Sequence, residues 1–229
     1  MRLSSAFGTL IFIPALCLCG PGQNAPGKDP QANEAKGIPP RATPGDYQAH
    51  AAAGTVTVAA EFIGHAFAMP DGPTYSSEDY VAVETGLYGP PGARLNLSVD
   101  NFSIRINAKK KKEVSLPSQP FGMVFRSLKD PEWEDSVALA AKEAKEKSTS
   151  ISTGGQRAGN EPVAPVHMPI ELQRAMQQRV QRAALAEGDR ALPQAGLIFF
   201  PYRGKQKDIH AVELVYAGPA GTATLTLQP

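Results

Sequence analysis

The sequence predicts a mainly β protein, an antiparallel sandwich with one amphipathic helix in an insertion. Three observations predict it. About eight short segments carry apolar residues at every second position. Turn residues separate them, with 21 glycines and 21 prolines in 229 residues. A single later segment switches to helical spacing. With Lys and Arg at 23, Asp and Glu at 22 and a net charge of +1, the chain lacks the cationic excess of a nucleic-acid binder. A composition that is 42% hydrophobic and 20% charged also excludes a wholly disordered chain.

The first strand pattern, Thr55–Phe67, places Val56, Val58, Ala60 and Phe62 on one face, then shifts phase to Ile63, His65 and Phe67. A phase shift of this kind predicts a bulge near Phe62-Ile63. Tyr80–Tyr88 follows with Val81, Val83, Thr85 and Leu87. Arg94–Asn107 shifts phase at Asp100-Asn101, which predicts two strands joined by a step. Glu113–Leu116 is expected to pair back across the Asn107–Lys112 turn, and Gly122–Arg126 is read as a strand. Gly196–Tyr202, Ile209–Tyr216 and Thr222–Leu227 complete the set. Two Gly/Pro corners, Gly89-Pro90-Pro91-Gly92 and Gly218-Pro219-Ala220-Gly221, predict two similar hairpins.

The helix is expected over 169–187. Pro169 suits its first position, Leu172, Met176, Val180 and Ala183-Ala184 share one face, and Gly188 suits its end. Its other face is rich in Gln and Arg. The favoured structural role is to pack across an edge or end of the sandwich. Ahead of it, 136–166 reads as a flexible insertion with a helical turn or two, because ALAAKEAKEK favours helix and the Ser/Thr/Gly run after it does not.

The N-terminus has the layout of a secretory signal, residues 1–19. Arg2 precedes an apolar run (Leu10, Ile11, Phe12, Ile13) that is too short to span a bilayer comfortably. Cleavage after Cys19 would remove both cysteines and leave a mature chain of net charge zero. A lipid anchor on Cys19 is the competing reading, although Leu18 is larger than such sites prefer. Residues 20–53 hold six prolines and five glycines and read as a disordered tether. The folded domain is therefore expected over 54–229. The compartment expected is secreted or periplasmic, with a lipid-anchored envelope protein as the alternative.

Four segments then resemble a known family, the telokin-like immunoglobulin-like extracellular domains of bacterial envelope proteins. They are Val81-Ala82-Val83-Glu84, Asp100-Asn101-Phe102-Ser103-Ile104, Gly196-Leu197-Ile198-Phe199 and Ile209 through Leu227. The resemblance covers 54–127 and 193–229, and the segment 128–192 departs from it. It implies an immunoglobulin-like sandwich and an extracytoplasmic location. It carries over no functional residue, because its motifs are packing patterns.

No catalytic, cofactor-binding or metal-ligating set emerges. The sequence lacks a G-x-S-x-G elbow, and His50, His65, His167 and His210 do not have metal-ligand spacing. Four features remain as binding candidates. Lys109, Lys110, Lys111 and Lys112 form either a solvated hairpin tip or a contact for acidic lipid headgroups and anionic glycans. Trp133, the sole tryptophan, either caps the core or stacks on a sugar or partner. Arg174 and Arg182 stand on the Gln/Arg helix face. The expected function is an exported, non-enzymatic module acting by contact with another envelope protein. The alternative is a ligand- or glycan-binding, or enzymatic, sandwich whose site is assembled from distant residues. Nucleic acid is not an expected partner, and a membrane is one only through Cys19.

Overall fold

Two four-stranded antiparallel sheets face each other in a computed structural model that describes residues 36–70, 72–108, 114–149 and 167–229. The first sheet has the order β1(Ala49–Ala53), β2(Val56–Gly64), β5(Tyr80–Tyr88), β11(Gln194–Pro201). The second has the order β13(Gly221–Leu227), β12(Ile209–Gly218), β7(Phe102–Ala108), β8(Val114–Pro117). β1 lies against β13 at one side of the stack and β11 against β8 at the other. The period-2 residues meet between the sheets. Val56, Val58 and Phe62 of β2, Val81, Val83 and Leu87 of β5, and Ile198 and Phe200 of β11 come from the first sheet. Phe102, Ile104 and Ile106 of β7, Val212, Leu214 and Tyr216 of β12, and Leu225 and Leu227 of β13 face them. This is the expected mainly β antiparallel sandwich.

The predicted irregularities fall where the phase shifts put them. The β2–β5 register slips between Phe62 and Gly64, and a 3-10 turn at Val99–Asn101 separates β6(Arg94–Leu97) from β7. β8 pairs back on β7, and β12 and β13 form a hairpin closed by Gly218 and Gly221. The first Gly/Pro corner makes no hairpin. β6 leaves β5 and pairs with β10(Gly188–Ala191), because both edges of β5 are already taken by β2 and β11.

The first sheet is also covered on its outer face, which gives the molecule a third layer. Ala82, Leu197 and Phe199 point outward and join a second apolar cluster. It is filled by Phe67 of β3(Ala66–Ala68), Tyr75 of β4(Thr74–Ser77), Leu128 of β9(Leu128–Lys129), and Val124 of α1(Phe121–Val124). Met176, Val180 and Ala183 of α3(Ile170–Ala183) complete it. β3, β4 and β9 form a small antiparallel sheet in that order. Burial on both faces explains why β11 carries the unbroken run Leu197-Ile198-Phe199-Phe200 rather than an alternation.

Several expectations are corrected here. Gly122–Arg126 is not a strand: α1 and a 3-10 turn at Phe125–Ser127 occupy it, since a three-residue apolar run suits a short helix as well as a strand. The helix α3 covers the outer face of the first sheet rather than only its edge, and it stops at Ala183, before Glu187-Gly188. Ala184, Leu185 and Ala186 continue as buried extended chain. Leu172, expected on the buried face, is exposed, because α3 meets the sheet only from Met176 onward. α2(Pro131–Thr149) fills the first part of the expected flexible insertion, and 150–166 lies outside the described residues. Residues 36–53, read as the end of the tether, belong to the fold. β1 pairs with β2 over Ala49–Ala53, and its alanine-rich sequence hides the strand from a periodicity argument. Residues 20–35 and the 1–19 leader, with Cys17 and Cys19, lie outside the described residues.

The free edge of β11 is closed by three single-residue bridges. Ile38 N–H donates to the Ala195 carbonyl at 2.9 Å, Leu185 N–H to Leu197 at 3.0 Å, and Gln119 N–H to Phe199 at 2.8 Å. Two glycines permit this approach. Gly37 adopts φ +79°, and a Cβ there would fall on the Ala195 carbonyl. A Cβ at Gly196 would fall on the Leu185 backbone. We predict that Gly196→Ala lowers unfolding stability by about 1–3 kcal/mol through overpacking against the chain. Urea denaturation reads this directly, and an unchanged midpoint at unchanged slope refutes the tightness of that contact.

Candidate binding groove

The segment 37–41 crosses the outer face of the first sheet and leaves a groove between itself and β3. The floor is Ile63, Glu84 and Leu197, and the walls are Ile38, Pro39 and Arg41 on one side and Ala66–Pro70 on the other. The volume is about 560 Å³, within the range of ligand-sized clefts. At the Met69-Pro70 end a second lobe of about 210 Å³ continues under α3, bounded by Gly37, Arg179, Arg182 and Ala183. Ile38, Pro39, Met69 and Pro70 line both lobes.

Arg41 anchors the wall electrostatically. Glu61 of β2 and Glu84 of β5 are direct cross-strand partners, a like-charge pairing that destabilises a sheet when unrelieved. Arg41 reaches down between them. Its Nε and Nη2 donate to the two Glu84 carboxylate oxygens at 3.0 Å each, Nη2 lies 2.6 Å from Glu61 Oε2, and Nη1 donates to the Asp46 carbonyl at 2.7 Å. The guanidinium also lies 4.4 Å from the centre of the Tyr47 ring. Its pKa is raised above the usual guanidinium value, first by the Glu84 hydrogen bond. Tyr88 Oη donates to the Arg41 carbonyl at 2.8 Å, and burial, followed by Tyr47, raises its phenol pKa. Gly86 makes room for Tyr47, whose hydroxyl would meet any Cβ there.

The other wall begins at His65. Its Nδ1 and Nε2 each lie 2.8 Å from a carbonyl oxygen, of Ser77 and Gly204 respectively, so a ring N–H fastens the start of β3 to a neighbouring carbonyl. In the smaller lobe Arg179 Nη1 donates to Tyr75 Oη at 3.0 Å. Arg182 is exposed there, and its carbonyl accepts from Lys36 N–H at 3.1 Å. Among the described residues no carboxylate lines this lobe, and Arg179 and Arg182 are its two cations. The larger lobe carries the balanced and locally acidic Arg41–Glu84–Glu61 group.

The sequence candidates are dispersed by the fold. Arg182 lines the smaller lobe. Arg174 lines a separate cleft of about 350 Å³ between α1 and α3, with Phe121, Phe125, Gln177, Gln178 and Gln181. Trp133 sits half-buried in the first turn of α2, where its backbone N–H donates to the Asp130 carboxylate at 3.2 Å. Lys109, Lys110, Lys111 and Lys112 lie outside the described residues. His50, His167 and His210 are exposed on β1, ahead of α3 and on β12. Among the described residues no three His, Cys, Asp or Glu side chains form a group that could hold a metal ion, and no helix is long and apolar enough to cross a membrane. Sequence reasoning missed Arg41 and Arg179. The one available signal was Ile38-Pro39-Pro40-Arg41, an apolar stretch ending in a lone cation within a segment otherwise read as tether.

Comparison with protein-family models, with curated proteins and with solved structures found no match to this chain.

Two outcomes follow from this geometry. Arg41→Leu is expected to cost about 1–2 kcal/mol, because a bidentate charge-assisted bond is lost in a site partly screened by solvent. Adding Glu61→Gln recovers part of the loss by removing one of two facing carboxylates. Chemical denaturation of the single and double variants checks both, and equal stability of the two refutes the relief of repulsion.

The second outcome concerns alkaline pH. Burial raises the phenol pKa values of Tyr88, Tyr202 and Tyr216 in the fold. The unfolded chain ionises first, from about pH 10, so the stabilisation is complete below that pH and is lost as pH rises beyond it. Denaturation between about pH 9 and 12 should show falling stability, with a shallower fall in Tyr88→Phe. Identical slopes refute the assignment to Tyr88.

Proposed function

We propose that this protein is an exported, non-enzymatic module of the bacterial cell envelope, of the telokin-like immunoglobulin-like type, that works by holding a segment of another envelope protein. The observation that carries the reading is the two-lobed groove on the outer face of the first sheet. Its floor is Ile63 and Leu197 beside the Arg41-bound Glu84 carboxylate, its walls are held by the Ile38 bridge and by His65, and Arg179 and Arg182 make its far end basic. Anchored walls around a mainly apolar floor with a few placed charges are what a recognition site requires. The layout of Met1–Leu18 supports export, and release after Cys19 is the favoured processing, with lipid attachment at Cys19 as the competing one.

A second reading places recognition of a glycan or partner in the α1–α3 cleft. There two phenylalanines face three glutamine amides and Arg174, a combination of stacking surface and polar donors.

In-cell photo-cross-linking separates the two. A benzophenone amino acid is installed at Ala68 in the groove, at Gln178 on the cleft, or at Thr224, which is exposed on β13 of the second sheet. We expect a specific adduct with another envelope protein from position 68 and none from 224. An adduct from 178 alone moves the working surface to the cleft, and equal labelling from all three positions refutes a dedicated surface. The intact mass of the same purified adduct reports the mature N-terminus, and a retained residue 1–19 segment refutes export.

A further inference from the structure

β3 is an edge strand whose unused side opens into the groove. In the three-stranded sheet it pairs only with β4, through Ala66↔Ser76, Phe67↔Tyr75 and Ala68↔Thr74. The flanking hydrogen bonds fix which residues face which way. Ser77 N–H donates to the His65 carbonyl at 2.9 Å and Met69 N–H to the Pro73 carbonyl at 3.3 Å. Hydrogen-bonded pairs alternate along an antiparallel ladder. Residues 65, 67 and 69 therefore use their backbone groups toward β4, and Ala66 and Ala68 turn their N–H and C=O groups away from it. Among the described residues these groups bond to no other backbone or side chain, and both alanines are exposed and line the groove.

The free edge of β11 is handled differently. The outward carbonyls of β11 are occupied by Ile38, Leu185 and Gln119, which is how native sheets protect an edge. β3 is left open, and the opening is bordered by a floor of Ile63, Leu197 and the Arg41-bound Glu84 and by a basic end. Small side chains at 66 and 68 leave its backbone accessible.

We infer that an extended segment of a partner protein adds to β3 as a further strand inside the groove. This inference rests on the reading of the groove as a protein-binding site, and it names the mode of binding. Main-chain bonds to Ala66 and Ala68 supply sequence-independent affinity, while alternate side chains of the incoming strand face the floor at Ile63 and Leu197. The partner segment carries apolar residues at every second position. It ends in a carboxylate, from an acidic side chain or a chain terminus, placed between Arg179 and Arg182 beyond Met69-Pro70. A cationic end is disfavoured there, because two guanidinium groups and, among the described residues, no carboxylate line the lobe.

The test uses the mature full-length chain and a synthetic array of labelled, C-terminally amidated heptapeptides with alternating valine and threonine, ending in either Asp or Lys. We expect fluorescence anisotropy to show binding of the Asp-ended peptides, with the Lys-ended ones at least about tenfold weaker. N-methylation of alternate backbone amides should weaken binding about tenfold per lost hydrogen bond, while methylation of the intervening amides should leave it unchanged. This comparison uses the wild-type protein and is independent of variant folding. Amide hydrogen exchange should show new protection at Ala66 and Ala68. Arg182→Glu should abolish the Asp preference, and Ala68→Pro should weaken all peptides. Failure of every peptide to bind, indifference to N-methylation at both sets of amides, or binding of dodecanoate in their place overturns the inference. If adducts still form from position 68 in cells while N-methylation has no effect, the groove remains the protein-binding site and only strand addition is refuted.

Discussion

Three carbonyl oxygens on one strand anchor three of the segments that lie outside the sandwich. The outward C=O groups of Ala195, Leu197 and Phe199 in β11 each need a partner once the third layer removes them from water. Each takes a single N–H from a different part of the chain: Ile38 from the N-terminal segment, Leu185 from the exit of α3, and Gln119 from the turn before α1. These bonds set the starting points of the groove wall, the helix that bounds the smaller lobe, and the helix that bounds the neighbouring cleft. One strand edge thus serves as a common ruler for three otherwise unrelated segments. The two glycines beside it, at 37 and 196, are the steric condition for the approach.

The first sheet must reconcile apolar burial on its inner face with a mixed outer face. Most of that outer face is apolar and lies under α1, α3 and the small sheet. The exception is the Glu61–Glu84 pair, two carboxylates directly opposed across β2 and β5. Covering them with apolar chain would be costly, and leaving them open would waste the face. Arg41 resolves the conflict by binding both, and in doing so it pins the segment that carries it. Tyr47 and Tyr88 then close around the guanidinium and its backbone. The ion cluster is therefore a device of attachment. It holds one wall of the groove in place, and the wall is straightened further by the two adjacent prolines, Pro39 and Pro40.

The contrast between β11 and β3 gives the outer face its polarity. Both are edge strands over the same apolar layer. One has its outward carbonyls capped, and the other presents the backbone groups of two alanines beside a cavity. Closing one edge and leaving the other open denies a strand-like contact at β11 and offers one at β3. The arginines of α3 then distinguish one end of that place from the other.

The sequence by itself determined the inner architecture. Period-2 apolar residues in β2, β5, β7, β12 and β13 fixed which side chains face the core, and phase shifts at Phe62-Ile63 and Asp100-Asn101 marked the bulge and the step between β6 and β7. The helical spacing of Met176, Val180 and Ala183 fixed the buried face of α3. These are local consequences of where a side chain points along a strand or helix, so they can be read from spacing. Only the tertiary structure decided that β6 pairs with β10, that 122–126 is helical, that 36–53 joins the fold, and that Arg41 and Arg182 border one groove. Those features depend on backbone groups and on approach between distant segments. Every residue but proline carries the same N–H and C=O, so a bridge such as Ile38 to Ala195 leaves no signature in the order of side chains.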